Sequence, residues 1–132
     1  MRDMKKNEVV AVAGGAGVIG RALCEELLDR GFIVVAASRS MTKFKNDPIL
    51  KRCIRVDCDL RKQAGIGRFL NAIDAVGAPL RGVAVCVAGD PPDDPGQARE
   101  TMHDMLDASI LCTESLAKRM SGSGGEVVLC SS

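Results

Sequence analysis

The chain has no tryptophan and no tyrosine, and it carries only three phenylalanines and a single histidine, His103, in 132 residues. Without tyrosine, no residue of this sequence can offer a phenolic proton to a substrate. Charge of one sign is also missing: 18 Lys and Arg face 17 Asp and Glu. No basic field is therefore offered to nucleic acid or to an anionic membrane. No apolar run approaches the length of a membrane span, and the opening MRDMKKNE leads into a strand rather than a signal-peptide core. Six cysteines (Cys24, Cys53, Cys58, Cys86, Cys112, Cys130) are scattered with no Cys-x-x-Cys. That spacing speaks against a zinc site, any other metal site or a disulfide framework. Most sit inside apolar runs, where a free thiol behaves as a small hydrophobe, and the expected setting is reducing and cytoplasmic.

What is present is ordinary for a globular chain, 46% hydrophobic and 27% charged, and its length suits one domain over 1–132. Five short apolar runs stand between glycines and charges: EVVAVAG (8–14), FIVVAAS (32–38), CIRVDCD (53–59), GVAVCVAG (82–89) and GEVVLCS (125–131). Runs apolar on both faces suit strands of a parallel sheet covered on both sides. Helical periodicity fills the gaps. Over 18–30 it aligns Ile19, Leu23 and Leu27, with Glu25, Glu26 and Asp29 outside. Over 61–76 it aligns Ile66, Phe69, Leu70 and Ile73, and over 97–120 Met102, Met105, Leu106, Ser109, Thr113, Leu116 and Met120. Strict alternation of strand and helix predicts an α/β fold with right-handed crossovers. Residues 40–51 read as basic and irregular with a short turn of helix near Pro48, and Asp90–Gly96 as a stiff acidic loop.

Four glycines in seven positions (Gly14, Gly15, Gly17, Gly20) lie between the first strand and the first helix. Gly15-x-Gly17-x-x-Gly20 in that context is the dinucleotide fingerprint. One glycine permits the sharp turn, another clears room for a pyrophosphate, and the last lets the helix sit close to the strand. The N–H groups of the first helical turn then face the phosphates. The alternative is a glycine-rich turn without a ligand. No acidic residue occurs between Gly31 and Lys45, where NAD or S-adenosylmethionine calls for a carboxylate on the ribose. Arg39 stands there instead, beside Ser38, with Lys43 and Lys45 beyond. A guanidinium can pair with a 2′-phosphate, so the residues favour NADP over NAD and argue against a methyltransferase. The plainer alternative for Arg39 is a solvated loop charge.

These residues resemble the short-chain dehydrogenase/reductases. Ala13-Gly14-Gly15-Ala16-Gly17-Val18-Ile19-Gly20 is similar to their opening motif. Its Gly-x-x-Gly-x-x-Gly spacing lies nearer the epimerase-like extended branch, and Ala13 replaces the usual Thr. The resemblance implies cofactor contacts at Gly14, Gly15, Gly17, Ile19 and Gly20, at Ser38 and Arg39, at Asp59 and Leu60 after the third strand, and at Ala88 and Gly89 after the fourth. Two Asn of the family's Asn-Asn-Ala-Gly are Cys86 and Val87 here. The fourth-helix Asn has no clear match, with Met105 or Asp107 near its place. Gly125–Ser132 resembles the fifth strand, with Ser132 in the place of the catalytic serine. The family's Tyr-x-x-x-Lys is absent, and members run roughly twice this length.

The resemblance thus implies an NADP(H)-linked oxidoreductase moving hydride between the cofactor and an unknown carbonyl or alcohol, represented by its cofactor-binding half and inactive as this chain alone. Ser132 could donate one hydrogen bond but not act as a tuned acid. A chain ending at Ser132 would also place its carboxylate where an oxyanion develops. The competing readings are a dinucleotide-binding sensor or regulatory module without catalysis, and a degenerate relative. The resemblance also implies a Rossmann-type doubly wound parallel sheet of about five strands in the order 3-2-1-4-5, with helices on both faces. An apolar fifth-strand edge, Val127–Cys130, on a sheet truncated there predicts a homo-oligomer or a completing second chain. Other candidates are weaker. Cys58, between Asp57 and Asp59, should have a raised thiol pKa and little reactivity. Cys130 reads as core, His103 as a surface residue, and Asp93 and Asp94 as loop solvation.

Overall fold

Residues 8–15, 18–39, 46–86, 96, 110, 113–120 and 125–129 are described by a computed structural model. The Val-rich runs form β1 (Val9–Ala13), β2 (Ile33–Ser38), β3 (Ile54–Asp57), β4 (Leu80–Val85) and β5 (Glu126–Leu129). All pair in parallel in the order β3-β2-β1-β4-β5, the order that the family resemblance implies. Helix α1 (Val18–Asp29) follows β1, and helix α2 (Gln63–Val76) follows β3. Residues 110 and 113–120 are also helical, within the span where periodicity predicts the third helix.

Because strand side chains alternate, the sheet has two separate apolar faces. On one, Val9, Ala11, Ala13, Val35, Ala37 and Val56 meet Ile66, Phe69 and Ile73 of α2, with Leu116 and Met120 from the later helical segment. The other face is built from smaller groups, Val10, Val12, Val34, Ala36 and Ala84, and receives Cys24 of α1 with Leu50 and Cys53. The β1–β4 register slips between Val9 and Val10. The slip lets Leu80 and Val83 share the α2 face although they stand three positions apart, an odd offset.

Three local expectations need correction. Ile19 does not lie on the buried stripe of α1 but is 53% exposed; Gly20 and Cys24 are the buried positions, and Leu23 and Leu27 are partly covered. The helix axis is set by how closely Gly20 can approach the preceding turn, which rotates Ile19 outward. Second, β3 is not apolar on both faces: only Val56 is buried, and Ile54, Arg55 and Asp57 face solvent, which suits the edge place it has in the order 3-2-1-4-5. Third, β4 begins at Leu80, two residues before the run suggested, since Val9 N–H donates to the Pro79 carbonyl at 2.9 Å and starts the ladder early. The turn near Pro48 is a single 3-10 turn, Leu50–Arg52. Asp47 Oδ1 starts it by accepting the Ile49 and Leu50 N–H groups at 2.9 and 3.1 Å.

Candidate functional site

Parallel pairing puts the carboxyl ends of the strands on one edge of the sheet. There the segments following β1, β2, β3 and β4 lie side by side. Gly14 and Gly15 N–H both donate to the Ala37 carbonyl of β2, at 2.8 and 3.1 Å. Cys58 N–H donates to the Ser38 carbonyl at 3.0 Å, and Cys86 N–H to the Ala13 carbonyl at 2.8 Å. The order 3-2-1-4-5 reverses between β1 and β4, and open α/β sheets offer a crevice at that point.

The glycines each answer a different steric demand. Gly14 has φ +82°, the left-handed region that β-carbons disfavour. A Cβ on Gly15 would stand 2.7 Å from the Cβ of Ala36, so the turn lies flat against β2. A Cβ on Gly20 would collide with the Gly14 carbonyl oxygen. Helix α1 is therefore seated on the turn, with its amino end at the carboxyl end of β1. Val18 and Ile19, in its first turn, are 90% and 53% exposed, an apolar lip beside the turn. A bound pyrophosphate fits this frame: a tight glycine turn, a helix amino terminus and, among the described residues, no buried acid.

Arg39 is exposed directly after β2, and Ser38 is half-buried. Asp59 follows β3, and its carboxylate already has a partner that sequence reasoning missed. Arg61 grips it through both oxygens, Nε to Oδ1 and Nη2 to Oδ2, each 3.0 Å, while the Arg61 backbone N–H also donates to Oδ1 at 3.0 Å. The Arg61 side chain, its N–H and charge, and more weakly the charge of Arg39, hold the Asp59 carboxyl down at about 2. The Asp-x-Arg spacing was the available signal. Leu60 is buried in the core, which leaves its backbone rather than its side chain facing outward. Gly65, which was not singled out, lets α2 close on the same segment: a Cβ there would strike the Asp59 carbonyl oxygen. The Cys58 thiol is pushed up to about 11, chiefly by burial, with Asp57 and Asp59 adding in the expected direction. Gly17, Ala88, Gly89 and Ser132, with Lys43, Lys45, Asp93, Asp94, His103, Met105, Asp107 and Cys130, lie outside the described residues.

A groove of ≈ 390 Å³ lies elsewhere, over β1 and β4 beside α1, lined by Val10, Leu27, Phe32 and Val83 among others. Glu26, Arg30 and Arg81 also line it, and none of its lining residues belongs to the glycine turn.

The profile of the NAD dependent epimerase/dehydratase family matches residues 10–132. The chain belongs to that family. No curated protein matches it. Solved structures share the fold of this epimerase/dehydratase-family chain. A short-chain type dehydrogenase/reductase from Mycobacterium ulcerans has a TM-score of 0.82 at 22% identity, covering 96% of this chain and 51% of that one. A short-chain dehydrogenase/reductase from Caenorhabditis elegans, solved with cofactor, has a TM-score of 0.79 at 20% identity, covering 98% and 54%. An NAD+-bound xylitol dehydrogenase has a TM-score of 0.79 at 15% identity, covering 93% and 52%. The family chain thus spans about half the length of these neighbours. Among its described residues no helix is long and apolar enough to cross a membrane, and no group of His, Cys, Asp or Glu forms a metal site.

Proposed function

We propose that this chain binds NADP(H) at the carboxyl edge of its sheet and forms the cofactor-holding part of a hydride-transfer oxidoreductase for a carbonyl or alcohol substrate. The observation that carries the reading is the seating of Gly20 on the Gly14 carbonyl. It leaves the amino end of α1 beside the point where the strand order reverses, with exposed apolar groups at its mouth.

In this reading the Gly14–Gly20 turn, including Gly17, lets the pyrophosphate approach the backbone, and the free N–H groups of the first turn of α1 hold it. Arg39, with Ser38, takes the 2′-phosphate. Asp59, fixed by Arg61, borders the adenine, and Ala88 and Gly89 border the ribose on the β4 side. When bound, the cofactor supplies the hydride. Ser132 would polarise a carbonyl oxygen. The 132 residues hold no tyrosine to complete the proton transfer, so this chain by itself gives no turnover.

Calorimetric titration with NADPH and NADH, on the wild-type chain and Arg39→Ala, tests the reading. NADPH should bind more tightly, and the substitution should weaken NADPH by about 10- to 100-fold, the worth of a charged hydrogen-bonded pair, with little change for NADH. Equal affinities in the wild type would remove the NADP assignment. Binding of neither would remove the cofactor reading itself. NADPH oxidation above background with a panel of carbonyls, abolished by Ser132→Ala, would contradict the expected lack of turnover.

A further inference from the structure

Three hydrogen bonds from a single residue occupy the Asp59 carboxylate. Oδ1 accepts both the backbone N–H and Nε of Arg61, and Oδ2 accepts Nη2, each at 3.0 Å. An ionised carboxylate has about four acceptor positions, two on each oxygen. Among the described residues, Oδ1 is therefore filled and Oδ2 keeps one position. The Asp59 side chain is 23% exposed, so that position is open to a ligand. The segment carrying the pair is held on both sides. Cys58 N–H donates to the Ser38 carbonyl at 3.0 Å and Lys62 N–H to the Asp59 carbonyl at 3.1 Å, while Gly65 brings α2 down onto that same carbonyl. Asp59 thus has a fixed place just past the end of β3, next to Ser38 and Arg39 at the end of β2. With the 2′-phosphate on Ser38 and Arg39, the base on the same ribose extends outward toward the neighbouring strand, which is β3.

We propose that Arg61 is a positioning residue that selects the base of the dinucleotide, making Asp59 an acceptor for a 6-amino purine and not for a 6-oxo purine. The proposal rests on the NADP(H) reading above. Adenine presents one amino group, on C6, and Oδ2 has one position left to accept it. Guanine presents two adjacent donors, N1–H and its 2-amino group, which call for both oxygens of a free carboxylate. With Oδ1 filled by Arg61, one of those donors would lose water without gaining a partner. Hypoxanthine and guanine also place a carbonyl oxygen where adenine has its amino group, and two acceptors then face each other. Asp59 cannot relieve that clash by donating a proton, since its carboxyl is held at about 2 and is ionised at neutral pH. The fork of the guanidinium is essential to this arrangement. A lysine would keep the charge but present one compact head, leaving the carboxylate free to turn.

The test is calorimetric titration of the full chain with NADP+ and with its hypoxanthine analogue, deamino-NADP+, two ligands that differ only at the base. The wild type should bind NADP+ about tenfold more tightly, the worth of one charge-assisted hydrogen bond at a partly exposed site. In Arg61→Ala the carboxylate is free to turn into water, and the ratio should fall to about threefold or less. Arg61→Lys should behave like the alanine variant, because charge without the fork does not hold the carboxylate. A pair with a merely structural role would weaken both nucleotides alike and leave their ratio where it was. An unchanged ratio in the two variants therefore overturns the proposal. So does a wild type that binds NADP+ and takes the hypoxanthine analogue equally well; that result needs no variant and leaves the cofactor reading standing. Binding of neither nucleotide by the wild type overturns the cofactor reading and the proposal together.

Discussion

One substitution, glycine to alanine, should have opposite signs at two helical positions. In Gly20→Ala the new methyl points into the Gly14 carbonyl, with the Gly14 carbonyl carbon at 2.9 Å and the Gly15 Cα at 3.0 Å. These are backbone atoms of a turn hydrogen-bonded to β2, so they cannot swing aside as a side chain could. Either α1 lifts off the turn or the turn leaves its ladder. Overpacking of this kind costs about 1–3 kcal/mol, with backbone contacts toward the upper end. Alanine returns about 1 kcal/mol through helix propensity. The net expectation is a loss of about 1–2 kcal/mol, or roughly 4–8 °C in a chain of this size. Gly67→Ala, inside α2, meets no atom within 4 Å and keeps only the propensity gain, so it should stabilise by about 0.5–1 kcal/mol. Urea and thermal unfolding of both variants beside the wild type measure the difference. A stabilised Gly20→Ala would refute the close seating of α1 on the turn, and with it the frame for the pyrophosphate.

Phe69→Ala empties the largest fully buried side chain, on the α2 face, and should cost about 3–5 kcal/mol in urea unfolding; a loss under 1 kcal/mol would mean that face is loosely packed. Asp47 and Asp59 both have depressed folded pKa values, chiefly through hydrogen bonds from Arg21 and Arg61. Their stabilisation is therefore complete above the unfolded carboxylate range near pH 4 and is lost as pH falls through the folded values, about 2 for Asp59. Thermal midpoints should fall across that window, less steeply in Asp59→Asn; an unchanged slope would show that the Arg61 pair contributes nothing. With its thiol pushed up to about 11, Cys58 is only about one part in a thousand thiolate at pH 8 and should alkylate far more slowly in the folded chain than in urea; equal rates would contradict its burial.

The sequence carried the architecture because its signals are local. Val-rich runs separated by amphipathic stretches name strands and helices, and a parallel sheet is the arrangement that buries such runs on both faces. The glycine turn was equally legible, since four glycines between a strand and a helix have few other uses. Arg39 could be singled out from what its neighbourhood lacks, an acid. These conclusions need no knowledge of what lies opposite.

Tertiary structure decided the rest. That Ile19 faces outward depends on Gly20 touching a carbonyl six residues back, which rotates the helix in a way its own periodicity cannot report. That β3 buries only Val56 depends on what packs against each of its faces, which its own run CIRVDCD cannot report. Asp59 could be read as a free carboxylate until Arg61 was seen to occupy both its oxygens. Cys24 and Cys53, 29 residues apart in the chain, share one apolar cluster only because α1 crosses the same sheet face that the turn before β3 closes. Patterning along the chain determined which elements form. Distances between atoms remote in sequence determined which side chains are left for chemistry, because sterics and charge act through space.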